Sequence, residues 1–281
     1  MKAPLRRRTS ERGERGGSWR FALPFAVLML AAAPAGGHDA GFEESQALAD
    51  SQRAVGRQIG EHRFIDTAGR PVALAALRGR PVVLSLIYTS CADICPLITQ
   101  RLAGAVAAAE DALGEGSFSV LTVGFDTAAD TPERMRLYRR ERGIDRDGWR
   151  FVSADHATID SLARELGFTY VRSAKGFDHL TQTTVLDGEG RVYRHVYGDD
   201  FAPPALVEPL KELVYGGGAS AVSWSGLVNR VRLLCTVYNP ATGRYRFDYS
   251  PFLSFGLGVL IFGALGTVLA RAWRRDWRRG A

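Results

Sequence analysis

Pro81-Val82-Val83-Leu84-Ser85-Leu86-Ile87-Tyr88-Thr89-Ser90-Cys91-Ala92-Asp93-Ile94-Cys95-Pro96 is the stretch whose reading decides the fold. Its first half, Pro81 to Tyr88, is short, β-branched and nearly all apolar, which suits a central strand buried on both faces. Beyond it Leu97, Ile98, Leu102, Val106 and Leu113 recur at helical spacing through an Ala-rich stretch that stops near Gly114, so a helix begins around Cys95. Pro96 fits at a first helical position, where its missing N–H costs nothing. Two thiols therefore stand where a buried strand gives way to a helix. Four residues apart at a helix start, they can face the same way, and the helix dipole favours their thiolates. That context reads as a placed reactive pair rather than as cysteines filling a core.

Three intervening residues leave the chemistry of the pair open. It can close a disulfide, and it also suits two soft ligands on one metal. Thiolates select Cu(I), zinc or iron–sulfur clusters by softness. Two sulfurs are an incomplete site, and the histidines available to complete it are His38, His62, His156, His179 and His195.

Outward from the cysteines, strand and helix alternate. Upstream, residues 42–54 read as a weak amphipathic arm, and Phe64 to Leu74 as two short strands about an Asp66-to-Gly69 turn. Downstream, Phe118 to Phe125 is a second buried strand. Asp130-Thr131-Pro132-Glu133 opens a helix that runs to Arg142, with Thr131 as cap and Pro132 first in the helix. Trp149 to Val152 is a third strand and Thr158 to Leu166 a further helix. Thr183 to Tyr197 is a hairpin with glycines in its turn, and a helix from Pro204 to Tyr215 closes the domain. The pattern predicts an α/β fold with parallel strands and helices on the sheet faces. Thiols at the C-terminal end of a central strand, with a closing hairpin and helix, give it a thioredoxin-like plan. No Gly-rich phosphate loop argues for nucleotide binding.

The formal charge of +6 is confined to the ends of the 281-residue chain: residues 1–20 contribute +5 and residues 271–281 contribute +4, which leaves −3 for the remainder. Such basic ends are membrane-topology signals, and no nucleic-acid footprint is present. Arg6-Arg7-Arg8 and Arg20, the uncharged run Phe21 to Ala35, and the small residues Ala33-Pro34-Ala35 make a secretory signal with a cleavage site; a retained anchor is the alternative. Cleavage after Ala35 would leave Gly36-Gly37-His38 as a new terminus, with nitrogen donors for Cu(II) or simply a glycine linker. Near the other end, Pro251 to Ala270 is twenty residues without a charge, long enough to span a membrane, and five arginines with Trp273 and Trp277 follow. The positive-inside rule then puts the C-terminus in the cytoplasm and the domain outside. A C-terminal hairpin pressed into a partner is the alternative for this segment.

Tyr88-Thr89-Ser90-Cys91 to Cys95-Pro96, then Phe125-Asp126-Thr127-Ala128-Ala129-Asp130-Thr131-Pro132-Glu133, then Asp178-His179 ahead of Leu186-Asp187-Gly188-Glu189-Gly190, together resemble the Sco/SenC family over roughly residues 56–215. Ala92 departs from the pattern, which often has Pro there. The resemblance implies that Cys91, Cys95 and His179 are copper ligands in a thioredoxin-like domain outside the cytoplasmic membrane. It also implies a role in building the CuA centre of cytochrome c oxidase, with the oxidase copper-binding subunit and an upstream periplasmic copper donor as partners. A Cys2His set agrees chemically, giving Cu(I) two soft thiolates and an imidazole that also suits Cu(II); zinc with a water as fourth ligand is a competing occupant. Asp178 is the candidate to orient the ring or its loop. Asp126 and Asp130 are candidates of the same kind, though capping explains them equally well. His62 and His156, at element edges, read as solvated, and His195 as a packing or surface residue. Cys235 reads as a buried or interfacial free thiol.

The expected organisation is a signal peptide over 1–35, a linker arm over 36–55, a copper-binding thioredoxin-like domain over 56–215, a membrane-proximal linker over 216–250, a transmembrane helix over 251–270 and a basic cytoplasmic tail over 271–281. The C-terminal anchor departs from the N-terminal one common in the family. The expected function is that of a metallochaperone in the inner membrane with its domain on the periplasmic side, more a binding protein than an enzyme. The alternatives are a thiol-disulfide oxidoreductase using Cys91 and Cys95 as its redox pair to keep the oxidase's ligand cysteines reduced, and a copper or redox sensor.

Overall fold

The structure, a computed structural model, describes residues 42–91, 94–216, 224–240, 242 and 244–279. The expected signal segment, Gly36-Gly37-His38, Ala92 and Gly217-Gly218 lie outside the described residues. In chain order the elements are α1 (Glu44–Ala54), β1 (Arg63–Asp66), β2 (Pro71–Ala73), a 3-10 turn (Leu74–Leu77), β3 (Val82–Ile87), α2 (Ile94–Leu113), β4 (Ser119–Gly124), α3 (Pro132–Glu141), β5 (Trp149–Ser153), α4 (His156–Leu166), β6 (Tyr170–Ser173), β7 (Gly176–His179), β8 (Gln182–Leu186), β9 (Val192–Tyr197), α5 (Pro204–Gly216), α6 (Trp224–Cys235), β10 (Thr236–Asn239), β11 (Arg244–Phe247) and α7 (Ser250–Arg279).

Seven strands form one sheet in the order β2-β1-β5-β4-β3-β8-β9. β3, β4 and β5 run parallel, and the pairs to either side are antiparallel. This is the mixed α/β, thioredoxin-like fold that the alternating pattern predicts. All six residues of β3, and all six of β4, are buried. Side chains alternate between faces along a strand, so both faces of the sheet centre are covered. The pairs α2 with α5 and α1 with α4 supply much of that cover, and Leu84, Leu121, Phe151, Leu102 and Leu206 meet in one core.

The local signals for helix starts act as expected. Thr131 accepts from Arg134 N–H at 3.3 Å ahead of Pro132, and Asp155 accepts from Thr158 N–H at 2.8 Å ahead of α4. Two hairpins, β6–β7 and β10–β11, stand where the pattern predicts none, whereas α6 follows the apolar and basic residues at helical spacing over residues 223–235. The short hairpin β6–β7 carries His179 as its last residue, where a loop was expected. Residues 224–247, within the expected linker, form α6 and the hairpin β10–β11, which pack on α5 and α2. α7 follows, and its stretch Ser250–Arg275, with a mean hydropathy of 2.2 and none of it buried, is long and apolar enough to cross a membrane.

Candidate metal centre

The cysteines stand where β3 hands over to α2. Cys95 is fully buried in the first turn of the helix, and Cys91 is half-buried in the turn before it. Neither is in a disulfide. Cys91 Sγ accepts from Cys95 N–H at 3.3 Å. An N–H of the helix start thus points at the Cys91 sulfur, which favours negative charge there. Burial dominates at Cys95 and pushes its thiol well above the ordinary range, with the Tyr88 main chain opposing it. The more exposed Cys91 is the sulfur open to an incoming ion or molecule.

Asp130 holds the turn that carries Cys91. Its carboxylate, almost fully buried, accepts from Thr89 N–H at 2.8 Å, Thr89 Oγ1–H at 2.7 Å and Asp126 N–H at 2.9 Å. Burial raises its pKa, and the same three donors resist the rise. The approach requires Gly124, since a Cβ there would stand 2.5 Å from Asp130 Cβ and 2.9 Å from Met135 Sδ. Asp130 is therefore a positioning residue for the cysteine turn as well as the residue ahead of the Thr131 cap. Asp126 is buried at the end of β4, with Arg172 of β6 3.7 Å away.

His179 lies in an aromatic nest. Its ring is edge-on to Tyr88 at 6.1 Å and to Phe125 at 5.6 Å, and tilted against Phe168 at 5.4 Å. Nδ1 is 3.1 Å from the Leu180 carbonyl, so Nδ1–H donates and Nε2 keeps the lone pair that a metal ligand needs. Burial lowers the imidazole pKa, which keeps the ring neutral near pH 7. Asp178, the expected orienting group, is instead exposed and accepts from Ser173 Oγ at 3.2 Å, tying the hairpin together. The backbone carbonyl orients the ring in its place.

Tyr88 connects the two halves of the site. Its ring is edge-on to Phe177 at 5.2 Å, and burial together with the neighbouring Cys91 thiol pushes its pKa up to about 12. Gly176 makes room for it: φ is +116°, and an added Cβ would stand 2.9 Å from Tyr88 Cε2. Yet among the described residues no three His, Cys, Asp or Glu side chains are grouped closely enough to hold a metal ion. The fold brings Cys91 and Cys95 together and places His179 behind the shared Tyr88 wall.

The remaining histidines divide. His156 is exposed at the start of α4, as expected. His195 is a packing residue, its Nδ1 2.9 Å from Thr184 Oγ1, and burial brings its pKa to about 4. His62 corrects the expectation of a solvated residue: it is buried, with Nε2 2.9 Å from Glu165 Oε2. That carboxylate comes from α4, about a hundred positions along the chain, where local sequence gives no warning. Cys235 is buried at the end of α6, in line with the sequence reading.

A family model described as SCO1/SenC matches residues 50–215. The chain belongs to the SCO1/SenC family. A putative electron transfer protein of Aquifex aeolicus VF5 is similar at 30% identity over 58% of this chain and 96% of that one, with a TM-score of 0.53. A SCO1/SenC family lipoprotein of Bacillus anthracis str. Ames is 19% identical over 56% and 95%, TM-score 0.51. Yeast Sco1 solved with copper bound is 15% identical over 61% and 98%, TM-score 0.50; at these identities the last two speak to the fold of this SCO1/SenC chain alone. No match was found among curated proteins.

Proposed function

We propose that this chain is a membrane-anchored copper metallochaperone that binds copper through Cys91, Cys95 and His179 and delivers it to the CuA site of a cytochrome c oxidase subunit. The observation that carries the reading is the cysteine pair at the strand-to-helix turn, with Cys91 Sγ accepting the helix-start N–H of Cys95 at 3.3 Å. Family membership and the softness of the donor set support it. The donors suit Cu(I): two sulfurs able to ionise, and an imidazole whose Nε2 is held unprotonated by the Leu180 contact. Copper is cargo here, taken from a periplasmic donor and passed on. Loading requires the β6–β7 hairpin to bring His179 out of its aromatic nest toward the cysteines. α7 anchors the domain, with its basic end, Arg271, Arg274 and Arg275, on the cytoplasmic side and the domain in the periplasm.

A second reading, thiol–disulfide exchange with the oxidase's ligand cysteines, is favoured by the unequal exposure of the pair. A half-buried Cys91 backed by a buried Cys95 is the arrangement of an attacking and a resolving thiol. His179 separates the two readings. Copper binding to the full chain in detergent, under reducing conditions, is expected at one ion per chain and is expected to be lost in His179→Ala, Cys91→Ser and Cys95→Ser. Unchanged copper affinity in His179→Ala, with disulfide exchange abolished only by the cysteine variants, would replace the first reading by the second.

A further inference from the structure

The piece between the domain and the apolar helix makes its contacts at one end of the cysteine helix. Lys211 of α5, 6% exposed, donates from Nζ to the Thr236 carbonyl at 2.9 Å and pairs with Glu208 at 2.7 Å. Tyr245 of β11 is also buried. Its hydroxyl donates to Glu208 at 3.0 Å, and Lys211 Nζ lies 5.9 Å from its ring centre. A buried ammonium survives only where its donors are satisfied. These groups satisfy one another, which fixes the β10–β11 hairpin to α5. Arg244 of β11 pairs with Asp111 in the last turn of α2 at 3.4 Å.

The other side of the hairpin joins α7 without a free swivel. Asp248 N–H donates to the Cys235 carbonyl at 2.7 Å. The Asp248 carboxylate accepts from N–H and Oγ of Ser250, the first residue of α7, at 2.9 and 2.6 Å. Phe247 stacks on Phe252 in the first turn of α7, with ring centres 6.0 Å apart.

We infer that α6, β10 and β11 form a rigid strut that holds the cysteine site away from the membrane, so that the partner receiving the metal presents its acceptor above the bilayer rather than at the headgroups. The inference rests on the membrane-anchored reading above. The strut grips α2 at Asp111, and Cys95 lies sixteen residues earlier on the same helix, about 24 Å away at the α-helical rise. A flexible coil over 216–250 would behave otherwise. Its root-mean-square reach of about 30–35 Å would let the site range from the headgroups outward.

The test uses the full chain in phosphatidylcholine/phosphatidylglycerol vesicles, with ketone-directed nitroxide labels at Gln100 on α2 and Leu253 on α7 so that the native cysteines stay untouched. Pulsed dipolar spectroscopy should give one narrow distance. That narrow peak should be lost when Lys211→Met and Tyr245→Phe are combined, and when residues 236–247 are replaced by Gly-Ser repeats. Gadolinium chelated to headgroups should relax the Leu253 label strongly and the Gln100 label little. A broad distance in the unmodified strut, or equal relaxation at both labels, would overturn the strut while the chain still floats with the vesicles. Failure to float would overturn the membrane reading itself, and the strut with it.

Discussion

Removing the Asp130 carboxylate should loosen the turn that carries Cys91 before it disturbs anything else in the sheet. In Asp130→Ala the Thr89 and Asp126 N–H groups lose their acceptor inside the protein. A buried donor without a partner costs about 1–3 kcal/mol, so the pair costs about 2–6 kcal/mol, a large share of the roughly 5–15 kcal/mol that holds a domain folded. Asp130→Asn should cost less: Oδ1 still accepts from Thr89, and only the Asp126 N–H faces an amide donor, at about 1–3 kcal/mol. Burial raises the Asp130 pKa, so the folded protein holds this proton more tightly than the unfolded chain. By linkage its contribution to stability is largest below the ordinary carboxylate range and declines as pH rises through the folded value; Asn removes that dependence. Native-state hydrogen exchange should show the Thr89 and Asp126 amides protected in the parent chain and fast in Asp130→Ala, with weakened copper binding alongside. A Thr89 amide that stays protected in Asp130→Ala, with an unchanged Tm, would refute the assignment of Asp130 as the anchor of this turn.

Three further outcomes are expected. Gly124→Ala should mimic Asp130→Ala, because the added methyl meets Asp130 Cβ at 2.5 Å and buried Met135 Sδ at 2.9 Å; a variant with the parent's Tm would mean the backbone yields more readily than the packing suggests. Gly176→Ala combines a strained φ with a clash on Tyr88, so it should lift the β6–β7 hairpin and weaken copper binding severalfold, read by titration with a competing chelator; unchanged affinity would separate Tyr88 from the site. Hydrogen bonds from His62, Gly60 and Ser161 outweigh burial and hold the Glu165 carboxyl below its usual range, so its stabilisation is present above the ordinary glutamate pKa and fades as pH falls through the folded value. Glu165→Gln should flatten the acid side of the stability profile, and identical acid unfolding curves for the two chains would count against the His62–Glu165 contact.

Much of the fold was legible because its signals are local. A buried strand, an Ala-rich helix, the Thr131 cap and the Asp187-to-Gly190 turn are each written in adjacent residues, and the structure places all four where the pattern predicts. The hairpin β6–β7 was passed over although Tyr170-Val171-Arg172-Ser173 followed by Gly176 carries a turn signal, since strands of four residues give periodicity too little length to register. Within 224–247 the helical spacing of residues 223–235 announces α6, but the hairpin β10–β11 goes unannounced for a different reason. Its stability comes from Lys211, Glu208 and Tyr245 meeting across the fold, and no window of sequence contains that knot. The same holds for Tyr88, which reads as the end of an apolar strand until Cys91, Gly176 and Phe177 are seen around its ring.

Under the proposed copper-carrier reading, Tyr88 also bears on how the site gives up its cargo. For His179 to reach the cysteines, its ring must leave contacts with Tyr88, Phe125 and Phe168, contacts of a kind worth about 0.5–1.5 kcal/mol each between aromatic rings. Cys95 must lose a proton that burial makes harder to remove. Both terms subtract from the intrinsic affinity of a thiolate–imidazole set, and every 1.4 kcal/mol subtracted is a tenfold weaker grip. The histidine contribution is recovered when the ring returns to its nest, so the empty state is a packed conformation rather than a strained one. A site built to keep a metal would hold all three donors in place beforehand. On the proposed ligand set, two sulfurs would be placed and His179 stored in apolar surroundings, an arrangement that would trade tightness for release and suit delivery better than permanent residence.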